Sequence, residues 1–129
     1  MKMAVSAMGR YLDAQVDPNF GRCQYFIIVD SDTLEFYAIE NPNIGLMSRA
    51  GIQSGQMIAD RGVQVILTGN IGPNAFRTLS AAGVQVVAEV NGTLREAIHK
   101  FGSDQLRPVS RATVPEYFSV RTDLLRNGT

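Results

Sequence analysis

Residues Tyr25-Phe26-Ile27-Ile28-Val29 form an unbroken apolar run about one strand long. A strand with one face in water alternates apolar and polar side chains, whereas a strand without alternation is covered on both faces. This run therefore obliges the fold to place a layer on each side of a sheet. Val63 to Thr68 reads as a second buried strand, and Lys2 to Ser6 and Val84 to Val87 as shorter ones. Ser31-Asp32-Thr33 is a turn after the first run, and Glu35 to Glu40 returns as its hairpin partner until Asn41-Pro42-Asn43 ends it.

Three helices fall between or after these strands. Ser48 is placed to cap one that runs to about Arg61 and stops at Gly62. Its Gly51 and Gly55 share a face with Ile52 and Ala59, which predicts close packing against a sheet or a ligand. Pro73 suits the first position of a second helix, whose inward face is Ala75, Leu79 and Ala82 before Gly83. Thr93-Leu94-Arg95-Glu96 is a capping box. Leu94, Ala97, Ile98 and Phe101 then recur at helical spacing up to Gly102. The order β-β-β-α-β-α-β-α predicts an α/β fold, a mixed five-stranded sheet with helices on its faces. Beyond it, Leu106, Val109, Val114, Tyr117, Phe118 and Val120 are spaced to pack as an extended wrapper.

Composition narrows the function. The 129 residues suit one domain, and a net charge of zero argues against an extended nucleic-acid surface. No apolar run reaches the length of a membrane span, and the apolar part of the N-terminus is too short for a signal peptide. A single cysteine, which makes no internal disulfide, predicts a cytoplasmic setting.

Two segments concentrate the chemistry. Asn19-Phe20-Gly21-Arg22-Cys23-Gln24-Tyr25-Phe26 ends a long polar loop and holds the cysteine, and Gly69-Asn70-Ile71-Gly72-Pro73-Asn74-Ala75-Phe76 leads from a strand into a helix start. In open α/β sheets ligands sit at the carboxyl ends of strands whose connections diverge, so these two loops would flank a crevice if the first and fourth strands are neighbours. Free N–H groups at the helix start favour an anion, and Arg10, Arg22 and Arg49 could ring it; a plain turn and scattered surface arginines are the simpler alternatives. The segment lacks the Lys and Ser/Thr of a phosphate loop. Arg22 would favour ionisation of Cys23, making it a soft metal ligand, although a small buried residue at a strand entrance is the commoner role of a lone cysteine. One thiolate does not close a metal site, so Cys23 would help hold a preassembled cluster or act with a second subunit. Met8 and Met47 could offer thioethers. His99 falls on the solvent side of its helix, and Asp30-Ser31-Asp32 lacks the glycine and distal glutamate of a calcium loop.

The chain resembles the dinitrogenase iron–molybdenum cofactor biosynthesis family, which includes NifX-like proteins and the C-terminal domain of NifB-like proteins. The resemblance rests on Leu12-Asp13, Phe20-Gly21-Arg22-Cys23, Tyr25-Phe26, Glu40-Asn41-Pro42, Ala50-Gly51-Ile52-Gln53, Gly69-Asn70-Ile71-Gly72-Pro73-Asn74-Ala75, Gly92-Thr93 and Glu96-Ala97. It covers residues 1–107 as one accessory-factor-like domain and leaves 108–129 as an extension packing on or trailing from it. Asn19 stands where many relatives carry histidine, and Met47-Ser48-Arg49 where many carry a glycine-rich or histidine-bearing segment. The resemblance implies a ribonuclease H-like three-layer α/β/α fold of sheet order 3-2-1-4-5 with the second strand antiparallel. It implies a non-catalytic binder or carrier of an iron–sulfur or molybdenum-containing cluster, with Asp13, Asn19, Gly21, Arg22, Cys23, Gly51, Gln53, Asn70, Gly72 and Asn74 at the cofactor and Cys23 on the metal. The expected partners are that cluster or a small anion, and cluster-donor or acceptor proteins, for a monomer or homodimer. The alternative is a metal-free small-anion or regulatory module of the same fold. A nuclease of that fold needs carboxylates around two metals, and neither Lys2 to Ser6 nor Val63 to Thr68 supplies one. With one histidine on an outer face, no nucleophile–base pair is visible, so no enzyme is expected.

Overall fold

The computed structural model describes residues 1–46 and 49–115. Its elements are β1 (Lys2–Ala7), β2 (Tyr25–Asp30), β3 (Phe36–Glu40), α1 (Ala50–Asp60), β4 (Val65–Leu67), α2 (Pro73–Ala81), β5 (Gln85–Val87) and α3 (Leu94–Gly102). The sheet order is β3-β2-β1-β4-β5. β2 is antiparallel to both β1 and β3, while β1, β4 and β5 run parallel. This is the expected mixed sheet in the expected order.

Side-chain alternation divides the core into two layers. Met3, Val5 and Ala7 of β1, with Ile27, Val29, Val65 and Leu67, face Leu94, Ala97 and Ile98 of α3. Ala4, Phe26, Ile28 and Ile66 face the opposite way, onto Ile58 of α1 and Ala75 and Leu79 of α2. The unbroken apolar run of β2 is thus explained: successive side chains enter different cores. Phe20 and Phe26 stack obliquely in the second layer, ring centres 5.3 Å apart. Among the described residues, no helix is long and apolar enough to cross a membrane.

Several boundaries differ from the sequence reading. α1 begins after Arg49 with no side-chain cap, and Ser48, the expected cap, lies with Met47 outside the described residues. α2 closes as expected at Gly83, with φ +81° and Val84 N–H donating to the Leu79 carbonyl at 3.0 Å. α3 includes Gly102, and the left-handed position after it falls on Asp104, φ 59°. Gly51 and Gly55 pack against α2 rather than against the sheet. A Cβ at Gly51 would stand 3.2 Å from Ala75 Cβ, and one at Gly55 3.3 Å from Thr78 Cγ2. Pairing of 51 with 75 and 55 with 78 makes the two helices run side by side in one direction.

The segment after α3 fastens to the domain. Val109 N–H donates to the Val86 carbonyl at 2.8 Å, extending the β5 edge. Thr113 N–H donates to the Ile71 carbonyl at 3.0 Å, and Ile71 N–H donates back to Thr113 Oγ1 at 3.0 Å. Tyr117, Phe118 and Val120 lie outside the described residues.

Candidate functional site

The parallel strands β1, β4 and β5 all end at one edge of the molecule, and the helices that follow the upward strands all start there. This gathers the loops 8–24, 41–46 and 68–72 with the N-termini of α1, α2 and α3. The three helix starts are not equivalent. α3 is closed by its capping box, with Thr93 Oγ1 accepting from Glu96 N–H at 3.1 Å and Glu96 Oε1 from Thr93 N–H at 2.9 Å. α1 and α2 have neither a side-chain cap nor an acidic residue in the first turn. Neither helix start therefore carries an acidic side chain of its own to complement its dipole.

The predicted crevice between the ends of β1 and β4 is filled by the chain itself. Asp17 N–H donates to the Ser6 carbonyl at 2.8 Å, Asn70 N–H to the Pro18 carbonyl at 2.6 Å, and Phe20 N–H to the Asn70 carbonyl at 3.1 Å. Asn19 and Asn70 form a parallel bridge. Beneath it, the buried Ser6 and Thr68 hydroxyls share a hydrogen bond of 2.7 Å, and Ser6 Oγ donates to the Asp17 carbonyl at 2.8 Å. The first long loop is thus stitched across the switch point, and the polar surface is displaced toward α1 and α2.

Most of the predicted residues meet on that surface. Asn19 Oδ1 accepts from Arg22 N–H at 3.2 Å. Gly21 abuts α1 so closely that a Cβ there would be 2.9 Å from Gly51 N. Gly51 in turn faces Ala75 in the first turn of α2, beside Gly72 and Asn74. Asn74 Oδ1 accepts from Arg77 at 3.1 Å. Gln53 is exposed one turn into α1. Asp13 stands apart, on the α3 side, where it pairs with Arg95 at 3.1 Å.

The three arginines that could ring the crevice have separate settings. Arg10 turns to Glu40 of β3 at 2.8 Å and lies over the Tyr25 ring at 5.0 Å. Arg22 donates to the Ile44 and Leu46 carbonyls at 3.3 and 3.0 Å, so it orders the loop after β3. Arg49 is exposed at the start of α1.

Cys23 does not match the reading of an Arg22-activated thiolate. Its side chain is fully buried in the apolar layer with Phe20, Phe26 and Ile58. Burial pushes the thiol well above its ordinary range and the nearby Asp17 charge adds to this, against the opposing hydrogen bonds from Ala7 N–H and Asn41. Among the described residues, no three His, Cys, Asp or Glu side chains gather where they could hold a metal ion.

Three polar residues complete the site that the sequence did not single out. Asn41 Nδ2 donates to the Gly21 and Cys23 carbonyls at 3.1 and 2.9 Å. Ser54 Oγ of α1 also donates to the Gly21 carbonyl, at 3.0 Å. Together they pin the Gly21–Cys23 turn between β3 and α1. Asp17, half-buried, is raised from its ordinary carboxyl value by burial, against the N–H groups of Asn19 and Gln24 that favour its charge. Asn41 stood in the Glu40-Asn41-Pro42 stretch of the resemblance with no role attached, while Ser54 within a helix and Asp17 within a loop gave no signal.

Comparison with known proteins gives consistent results. An uncharacterized protein of Methanocaldococcus jannaschii is 33% identical over 90 residues, 67% of this chain and 76% of that protein. The apo form of the orange protein from Desulfovibrio gigas superimposes with a TM-score of 0.85 at 36% identity, covering 88% of this chain and 96% of that one. A Thermotoga protein provisionally assigned as NifB gives 0.76 at 34% identity, covering 88% and 97%. The dinitrogenase iron-molybdenum cofactor family model matches residues 1–104, and the chain belongs to that family.

Proposed function

We propose that the chain is a non-catalytic carrier for an anionic iron–sulfur or iron–molybdenum-type cluster or its precursor. The observation that carries this reading, given the family, is the pairing of two uncapped, acid-free helix starts against the Asn19–Arg22 turn. Backbone N–H groups and helix dipoles at this edge suit a polysulfide or oxyanion surface, as they suit phosphate elsewhere. Asn19, Gly21, Arg22, Gly51, Asn70, Gly72 and Asn74 form the seat, with Gln53 at its rim. Gly21 and Gly51 let the turn and α2 close on α1, which brings the backbone N–H groups of the two helix starts together. Cys23 lies under this seat, and to ligate a metal it would have to leave its apolar layer and its contact with Asn41.

A carrier has to release its cargo, and a seat built from hydrogen bonds releases more readily than a thiolate cage. The test is the metal and acid-labile sulfide content of protein purified without oxygen, and visible absorbance after anaerobic incubation with a preformed iron–sulfur cluster. Stoichiometric uptake that survives in Cys23→Ala is the expected result. A colourless wild type free of metal under both conditions refutes the reading.

The buried, protonated thiol supports a second reading, a metal-free module for a small anion. A thermal-shift series with molybdate, phosphate and sulfate, set beside the metal analysis, separates the two. Stabilisation by oxyanions alone, with no cluster uptake, selects the second.

A further inference from the structure

A groove of about 600 Å³ lies on the outer side of α2, away from the sheet. One wall is the strip Phe76, Arg77, Ser80 and Ala81, in which 76 and 80, 77 and 80, and 77 and 81 are neighbours on the helix surface, three or four residues apart. The other wall is Ser110-Arg111-Ala112, held in place by the Val109 bond to β5 and the paired Thr113 bonds to Ile71. Pro73 closes the end nearest the helix start.

The charge of this groove is one-sided. Arg77 and Arg111 are exposed, and among the described residues no acidic side chain lines the walls. Among the described residues neither guanidinium meets a carboxylate: Arg77 donates to the Asn74 amide oxygen, and the ion pairs lie elsewhere. In a chain of zero net charge this is a local excess rather than a general one. Between the two cations runs an apolar floor with the half-buried Phe76 ring. Two guanidinium forks that meet no carboxylate among the described residues, beside an aromatic ring, suit carboxylates spaced along a segment with an apolar side chain between them.

We propose that the Arg77–Arg111 groove is a docking surface for an acidic protein segment with one aromatic or aliphatic anchor, on the partner that delivers or receives the cargo. The proposal rests on the carrier reading. Pro73 and Asn74 link the groove to the cargo seat, since Pro73 lines the groove and Asn74 holds Arg77. A segment docked here would lie beside the open end of α2. Docking through exposed arginines also gives the weak, salt-sensitive and rapidly formed contact that a transfer step needs.

The test uses the full chain and a fluorescein-labelled peptide that alternates Asp and Glu around a single Phe. Its isosteric Asn/Gln counterpart and a labelled oligouridylate serve as competitors of other kinds. At about 50 mM salt the acidic peptide should bind at least tenfold more tightly than the neutral one, with the advantage shrinking at about 300 mM. Arg111→Glu and Arg77→Glu should each weaken it at least fivefold. Phe76→Ala should weaken both peptides, and Arg95→Glu, on the α3 side of the sheet, should change neither. Circular dichroism melting confirms that each variant is folded. Equal binding of the acidic and neutral peptides overturns the proposal, as does equal loss in Arg95→Glu, and so does tighter binding of the oligouridylate or of free citrate. Self-association by sedimentation that is lost in Arg111→Glu also overturns it, in favour of a second copy as occupant. Cluster uptake read in parallel keeps the two proposals apart. Arg111→Glu should load normally, so peptide binding without uptake by the wild type refutes the carrier alone, whereas uptake without peptide binding refutes the docking surface alone.

Discussion

Pro18 passes so close to Gly69 that a Cβ built on the glycine would stand 2.5 Å from Pro18 Cα and 2.7 Å from its carbonyl oxygen. Both contacts are with backbone, which has no rotamer to yield. The same approach lets Asn70 N–H reach the Pro18 carbonyl. Gly69→Ala should therefore separate the first loop from the end of β4 and cost about 2–3 kcal/mol of stability, at the upper end for overpacking. Chemical denaturation reads this directly. Gly45→Ala is the control, because a Cβ there meets nothing within 4 Å. Equal effects of the two substitutions would mean that the stitch at Gly69 opens freely.

Asn41 and Ser54 should behave as one unit. Asn41→Ala removes the donor of the Cys23 carbonyl and one of two donors to the Gly21 carbonyl, in a buried setting. A loss of about 1–3 kcal/mol is expected for Asn41→Ala and about 1 kcal/mol for Ser54→Ala. The double variant should lose more than the sum, since only then is the Gly21 carbonyl orphaned. Reaction of Cys23 with Ellman's reagent gives an independent readout. It should be slow in the wild type and faster in Asn41→Ala by more than the change in global stability accounts for.

These two examples also show what the sequence conveys and what it does not. The layers were legible because the rule that produces them is local: the apolar run at Tyr25–Val29 needs cover on both faces, and Thr93 and Glu96 cap their own helix. Pro73 at the first position of α2 and Gly83 after its end are local in the same sense. The filling of the crevice was not legible, because it depends on Pro18 and Gly69, which neither sequence spacing nor propensity relates. The role of Asn41 was hidden for the same reason, since its partners are carbonyls 18 and 20 residues away. Gly51 misled in an instructive way: its need for close packing was apparent, but the neighbour is α2. Cys23 was placed correctly at a strand entrance, yet the next residue in sequence, Arg22, points its guanidinium to the Ile44 and Leu46 carbonyls, so burial and not Arg22 sets the state of the thiol.

The buried Cys23 and Asp17 make opposite ends of the pH range informative. Both groups hold their proton more tightly in the folded chain than in the unfolded one. Below the ordinary value the two states are equally protonated, and above it the unfolded chain releases its proton first, so stability falls as pH rises. For Cys23 this decline begins near 9 and continues upward. For Asp17 it begins near 3.8 and ends once the folded carboxyl has ionised. Asp30 and Glu96 are lowered by N–H groups and contribute in the opposite sense, gaining stability as pH rises through the carboxyl range. The difference between variant and wild type isolates each group. Asp17→Asn, which keeps an oxygen for Asn19 N–H, should be more stable than wild type at pH 7 and lose that advantage at pH 3. Cys23→Ala should remove the alkaline part of the decline and leave the acidic part unchanged.

The first turn of α2 gives the most direct discrimination between a structural and a binding role for the open helix starts. Asn74 occupies the second position of the helix, where an acidic side chain complements the dipole and stabilises an exposed helix by about 0.3–1 kcal/mol. Asn74→Asp keeps an oxygen for Arg77 and adds charge to that contact. On packing and electrostatics of the protein alone, the variant should be at least as stable as wild type. If α2 is left without an acid because an anion sits over its first turn, the same charge repels the cargo. A loss of about tenfold in cluster or oxyanion affinity corresponds to about 1.4 kcal/mol, within reach of one added charge at a partly solvated site. Stability and affinity should therefore move in opposite directions, a pattern that general unfolding does not produce. Asn74→Gln, neutral and longer, should lose less affinity than the aspartate and gain no stability. Unchanged affinity in Asn74→Asp would place the anion away from α2 and leave α1 as the only open helix start at this edge.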